Sequence, residues 1–325
     1  MADGGSPVTA IMGQAAADYL ALRRALGTRL QQPGQLLRDF AAGLDARGIA
    51  RLTVAEALAW ATAPTGTSPY WHGWRLGVLR GWSQYLHAVD PAHEVIPGDL
   101  IPGTYPRRTP FVFTDAEIAA LLESAAHLRY ALTAATYHTL LGLLATTGIR
   151  PGEAFGLDRG SVSLEAGVLT VVSTKTSQIR RLGLHDTTTT ALTGYARRRD
   201  LLCPHPAQPH FLLSVRGTRL NATIADRTFR SLARAAGVKA RADGTRPLLR
   251  SFRHTFAVTT ILSWYRDGVD VDAAMPALSA WLGHSNPRDT YWYISATPEL
   301  LALAVEKMTS AVQARQRPPN LPPAS

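Results

Sequence analysis

Four side chains, ordered along the chain, have the chemistry to break a phosphodiester. Arg150 lies in Thr147-Gly148-Ile149-Arg150-Pro151-Gly152-Glu153, and Arg253 opens Arg253-His254-Thr255-Phe256. His284 follows Leu282-Gly283, and Tyr293 comes nine residues later. Arginine forks can hold a phosphodiester and offset charge as it builds up. A histidine can share a hydrogen bond or proton with it, and a tyrosine oxygen can attack phosphorus. Each residue alone also has an ordinary explanation. Arg150 and Glu153 could form a structural ion pair, and a histidine after a glycine commonly sits in an exposed turn. Tyr291 and Tyr293 both fall within reach of the same place. Two residues apart on a helix they face different ways, so only one can serve as nucleophile.

Charge narrows the partner. The net charge is +10 with a pI near 10.2, which points to a polyanion. Residues 1–110 hold ten arginines and eight acidic residues, so about +2 of that charge lies there and the rest follows Pro110. Lys175, Lys239 and Lys307 are the only lysines. Arginine suits bidentate phosphate contacts, although a GC-rich genome enriches it too. The scarcity of lysine leaves few candidates for a catalytic ammonium acid. A single cysteine, Cys203, forbids an intrachain disulfide. Neither a secretion signal nor a membrane span is legible, so a cytoplasmic protein is expected. Cys203, His205 and His210 form too sparse a set for zinc. With no glycine-rich phosphate loop and no carboxylate cluster for magnesium, no cofactor is expected.

A length of 325 residues allows two domains. Helical periodicity marks Ala15–Leu26, Gln35–Arg47, Val54–Ala63 behind an N-cap at Thr53, and the aromatic stretch Tyr70–Val89. The aromatic side chains of that last stretch read as core. Pro97, Gly98, Pro102, Gly103, Pro106 and Pro110 then break regular structure. The expected division is 1–95, a linker at 96–110, a second domain at 111–316 and a disordered tail at 317–325. Thr114 starts a helix through Ala126, and Tyr130–Thr147 is a long apolar helix closed by Gly148. Val168–Val172 and Arg180–Leu184 read as strands, with Lys175 in the turn between them. Helices follow at Thr187–Asp200, Ile224–Ala236, Ser251–Trp264, Asp272–Leu282 and Pro298–Gln313.

Taken together, Arg150, Arg253-His254-Thr255-Phe256, Leu282-Gly283-His284 and Tyr293 resemble the tyrosine recombinases, or phage integrase family. The resemblance is strong over Pro110–Thr309 and architectural over the N-terminal helices. It implies a mainly α chain, with a helical core-binding domain and an α-rich catalytic domain carrying a small antiparallel sheet. This is the DNA breaking-rejoining enzyme fold. The family's nine-residue spacing selects Tyr293 as nucleophile over Tyr291. Lys175 resembles the family's β-hairpin lysine, the acid that protonates the departing 5′ oxygen. Three residues before Arg253 the family usually has histidine; here it is Arg250, which can donate to phosphate but cannot act as a base near neutral pH. His254 lies too close in sequence to Arg253 to take over that role readily.

The resemblance implies site-specific cutting and rejoining of double-stranded DNA through a 3′-phosphotyrosyl link, without metal or ATP. Arg150, Arg253, Arg250 and His284 would attend the phosphorus. It further implies a homotetramer, or a mixed tetramer with related recombinases, on DNA with specific recombination sites. The helix Pro298–Gln313 would dock on a neighbour. The segment from Asp289 to Leu300 also resembles recombinases carried by transposons. A non-catalytic DNA-binding homologue acting in synapsis or regulation, or a nicking-closing enzyme of topoisomerase type, are the alternatives.

Overall fold

The computed structural model describes residues 11–28, 30–101, 109–173, 178–284, 286–295, 300–303 and 305. The chain divides into two compact units, Met1–Arg107 and Arg108–Ser325. The first contains four helices: α1 (Ile11–Ala25), α2 (Gln31–Ala46), α3 (Val54–Thr62) and α4 (Pro69–Val89). Their starts are chemically marked. Asp45 accepts from the free backbone N–H groups of Met12 and Gly13 at 3.0 and 2.8 Å, placing a carboxylate at the positive end of α1. Thr53 caps α3 through the Glu56 N–H, and Ser68 caps α4 just before Pro69. Phe40, Leu44, Leu76, Leu79 and Trp82 bury between these helices. The aromatic run on α4 divides as amphipathicity requires: Trp82 is buried, while Trp71 and Trp74 stack on each other half-buried. On α1 the buried face is Met12, Ala16, Tyr19 and Leu20; Leu22 faces outward, as does Leu26 just past its end.

The second unit is built around α6 (Ala131–Thr147), which is apolar on nearly all sides and buried accordingly. Before it runs α5 (Asp115–Ala126), opened by a reciprocal capping box between Thr114 and Glu117. After it come the short α7 (Pro151–Phe155) and an antiparallel sheet of β1 (Val162–Ser163), β2 (Val168–Val172) and β3 (Ile179–Gly183), in that order. Leu169 pairs with Leu182 and Val171 with Arg180. Strand alternation therefore puts Arg180 on the same inward face as buried Leu182. The remaining elements are α8 (Asp186–Leu202), α9 (Ala222–Ala235), α10 (Ser251–Arg266), α11 (Val271–Leu282) and α12 (Arg288–Tyr291), which passes into a 3₁₀ turn at Trp292–Ser295. The chain is thus mainly helical with one small sheet, as expected. Lys175, the 317–325 tail and most of Pro298–Gln313 lie outside the described residues. Among the described residues, no helix is long and apolar enough to cross a membrane.

Candidate active site

Two helix ends and one buried carboxylate organise the cationic side chains. Helices leave their last carbonyls without partners, at the negative end of the helix dipole. α6 ends at Gly148 and α11 at Gly283, both with left-handed backbone at φ 63° and 67°. Arg253, near the start of α10, donates to Gly148 O at 3.0 Å and Leu282 O at 2.7 Å. Arg150 donates to Gly283 O at 3.3 Å, and Arg180 to Trp281 O at 2.9 Å. The Trp281 indole N–H reaches Thr147 O at 2.8 Å and so ties the two helix ends together. Both glycines are needed for space as well as for φ. A Cβ at Gly148 would meet Phe256 at 2.5 Å, and one at Gly283 would meet the Arg180 guanidinium at 2.9 Å.

Glu153 is the counter-charge. It is buried and accepts from the Arg150 backbone N–H at 2.9 Å and the Arg150 guanidinium at 3.0 Å. Arg180 adds contacts at 3.2 and 2.7 Å. Burial alone would raise its carboxyl, but the Arg180 hydrogen bond, the Arg150 backbone bond and both arginine charges hold it below the ordinary value. The structural Arg150–Glu153 pair is thus formed, and it also fixes where Arg150 stands. Arg253 is more deeply buried. Burial and the charge of Arg150 lower its pKa to about 10, which leaves it cationic at neutral pH.

Tyr293 lies in the 3₁₀ turn after α12 and is 3% exposed, whereas Tyr291 is 42% exposed. Burial raises the Tyr293 phenol, against the charges of Arg253 and Arg150, which pull it down. The His284 ring stacks on Tyr293 with centroids 6.3 Å apart. His284 Nδ1 is engaged with the hydroxyl of fully buried Thr290 at 2.6 Å, which fixes the ring. Burial, then the charges of Arg253 and Arg150, lower His284 to a pKa of about 4, so its ring is neutral near pH 7. Arg250 is the exposed residue just ahead of α10, and its side chain joins no hydrogen bond among the described residues.

Four of the six residues singled out from sequence thus gather at one place: Arg150, Arg253, His284 and Tyr293. Arg250 stands about one turn before His254, at the cap of its helix, and Lys175 lies outside the described residues. His254, expected from its place beside Arg253 to stand apart from the base role, lies next to Tyr293. Its Nδ1 is 3.1 Å from the Tyr293 hydroxyl, because adjacent helical positions point about 100° apart. Arg253 donates to the two helix ends and also reaches the Tyr293 phenol, which His254 meets from the neighbouring position. Arg180, Trp281 and Thr290 were not anticipated. The inward register of Arg180 was legible from strand alternation; the other two depend on tertiary contacts. Among the described residues, no group of three or more His, Cys, Asp or Glu side chains is placed to hold a metal ion.

The sequence pattern of the phage integrase family matches residues 112–299, a span that takes in Arg150, Arg253, His284 and Tyr293. The chain belongs to that family. Two proteins of Sinorhizobium fredii (strain NBRC 101917 / NGR234) are similar to this recombinase over nearly its whole length. The candidate integrase/recombinase y4rB is 35% identical, covering 91% of this chain and 96% of its own. The candidate integrase/recombinase y4rE is 34% identical over 91% and 95%. The fold is also that of the Tn1549 transposon integrase in complex with transposon right end DNA, with a TM-score of 0.63 at 16% identity over 92% of this chain and 99% of that one. The XerH site-specific recombinase bound to its difH substrate aligns with a TM-score of 0.61 at 17% identity, over 84% and 77%. The chain is a tyrosine-type site-specific recombinase, and the non-catalytic alternative is not favoured.

Proposed function

We propose that this recombinase cuts and rejoins double-stranded DNA at specific recombination sites with Tyr293 as nucleophile, for integration or transposition. The observation that carries this reading is the convergence of the Arg253 and Arg150 charges on the Tyr293 phenol, with the His284 ring stacked beside it. Tyr293 Oη attacks the scissile phosphorus and the 5′ oxygen departs, leaving a 3′-phosphotyrosyl link. Arg150 and Arg253 offset the charge on the pentavalent phosphorus, with His284 and Arg250 assisting. Lys175 supplies the proton to the leaving oxygen. The 5′-hydroxyl of a partner strand then attacks the link and releases Tyr293. The phosphoester energy is kept in the covalent link, so strand exchange proceeds without ATP.

A DNA partner is supported by the net charge of +10 and by the DNA held in the Tn1549 integrase and XerH complexes. Residues 1–95 serve as the core-binding domain, 96–110 as the linker and 111–316 as the catalytic domain. Four protomers, identical or mixed with related recombinases, align two duplexes in the cytoplasm. The test is a nicked suicide duplex carrying DNA from either side of the gene. Wild type and Tyr291→Phe should form a covalent adduct; Tyr293→Phe should bind the duplex and form none. An adduct with Tyr293→Phe, and none with Tyr291→Phe, would transfer the role to Tyr291.

A further inference from the structure

We propose that His254 is a catalytic residue: it takes the phenolic proton of Tyr293 as the tyrosine attacks, and returns it when the strand is rejoined. This rests on the assignment of Tyr293 as nucleophile. An attacking phenol must lose its proton, and the group that takes it must lie within hydrogen-bond reach and be unprotonated. Arg250 fails the second condition, because a guanidinium keeps its proton. His284 is poorly placed, with Nδ1 engaged by Thr290 and its ring plane nearly parallel to the tyrosine's, at 21°. His254 meets both conditions. Its Nδ1 stands 3.1 Å from Tyr293 Oη, and with the ring proton on Nε2 that nitrogen is a free acceptor.

The surroundings tie this basicity to substrate. The charged groups acting on His254 are Arg250, just ahead of its helix, and Arg253, on it, and the phenol of Tyr293 faces it from the 3₁₀ turn. Burial first, then those two arginines, lower the imidazole to a pKa of about 4 in the DNA-free protein. It is therefore neutral and ready to accept. A phosphate seated between Arg250 and Arg253 offsets both charges and raises the basicity of the ring as the substrate arrives. In the step itself the Oη–P bond forms and the P–O5′ bond breaks. The phenolic proton passes to His254 Nδ1, and the leaving oxygen receives its proton from Lys175. Rejoining reverses each transfer.

The test compares His254→Asn and His254→Ala with wild type in single-turnover cleavage of the nicked duplex, with melting temperature and duplex binding measured in parallel. Asparagine places an amide oxygen close to the position of Nδ1, so it can accept the hydrogen bond but cannot take the proton. A second substrate carries sulfur in place of the leaving 5′ oxygen, which needs no acid. Both variants should bind normally and cleave at least ~100-fold more slowly, on the oxygen and sulfur substrates alike, since general-base assistance is typically worth that much. Lys175→Ala, by contrast, should be rescued by sulfur. A His254→Asn protein that cleaves at the wild-type rate, or a sulfur substrate that rescues it, overturns the proposal. If wild type forms no adduct on either substrate, the failure belongs to the recombinase site as a whole rather than to His254.

Discussion

Three guanidinium groups sit close together and two of them share one carboxylate, so each needs an anchor of its own. Arg180 and Arg150 share Glu153, while Arg253 rests on the carbonyls of Gly148 and Leu282. The difference matters for function. Arg180 is consumed in bracing, whereas Arg253 holds its net charge with no carboxylate hydrogen-bonded to it among the described residues. That charge is available to a phosphate. Arg253→Ala should therefore lower single-turnover cleavage by ~100-fold or more, corresponding to about 3 kcal/mol for one lost oxyanion contact. Duplex affinity should change far less, because the chain's other arginines still offer charge to the DNA backbone. Arg253→Lys should recover only part of the rate, since an ammonium cannot make both carbonyl bonds and still fork a phosphate. Equal losses of binding and cleavage in Arg253→Ala would reduce the residue to a DNA-positioning contact.

At the scale of elements, the ends of α6 and α11 and the start of α10 form one assembly, with the turn after α12 folded against it. Much of this was legible beforehand. Gly148 and Gly283 mark their helix ends in sequence, and helical periodicity found the helices on either side. The turn after α12 was harder, because Tyr291 and Tyr293 differ only in which one tertiary packing buries. The approach of His254 to Tyr293 was not legible from linear distance to Arg253, because adjacent positions on a helix point about 100° apart. The same assembly carries a pH signature. His254 and His284 both have folded pKa values of about 4, against about 6.5 for an unfolded histidine. Below about pH 6.5 the unfolded chain takes up protons that the folded protein refuses, so stability falls with pH until both rings are protonated. The melting temperature of the DNA-free protein should thus drop between pH 6.5 and 5, above the range where ordinary carboxylates titrate. His254→Asn should make that slope shallower. A melting temperature that is flat across the interval in wild type would mean that neither ring is held neutral by the fold.

For the whole molecule, the uneven charge and the gathered reactive groups distinguish the two units. The positive excess follows residue 110, in the unit that carries Arg150, Arg253, His284 and Tyr293. The first unit folds around its own core of Phe40, Leu44, Leu79 and Trp82. Its helical character could be read from periodicity, but whether its tryptophans pack or stack on bases could not, since a buried tryptophan and a base-stacking tryptophan look alike in sequence. The most direct measurement is made on the covalent complex itself. Wild-type protein trapped on the nicked duplex is digested with nuclease and trypsin, and the peptide Asp289–Lys307 is sequenced by mass spectrometry. The predicted result is a nucleotide joined through its 3′-phosphate to Tyr293, with Tyr291 unmodified. A nucleotide on Tyr291, or a link through a 5′-phosphate, would contradict it.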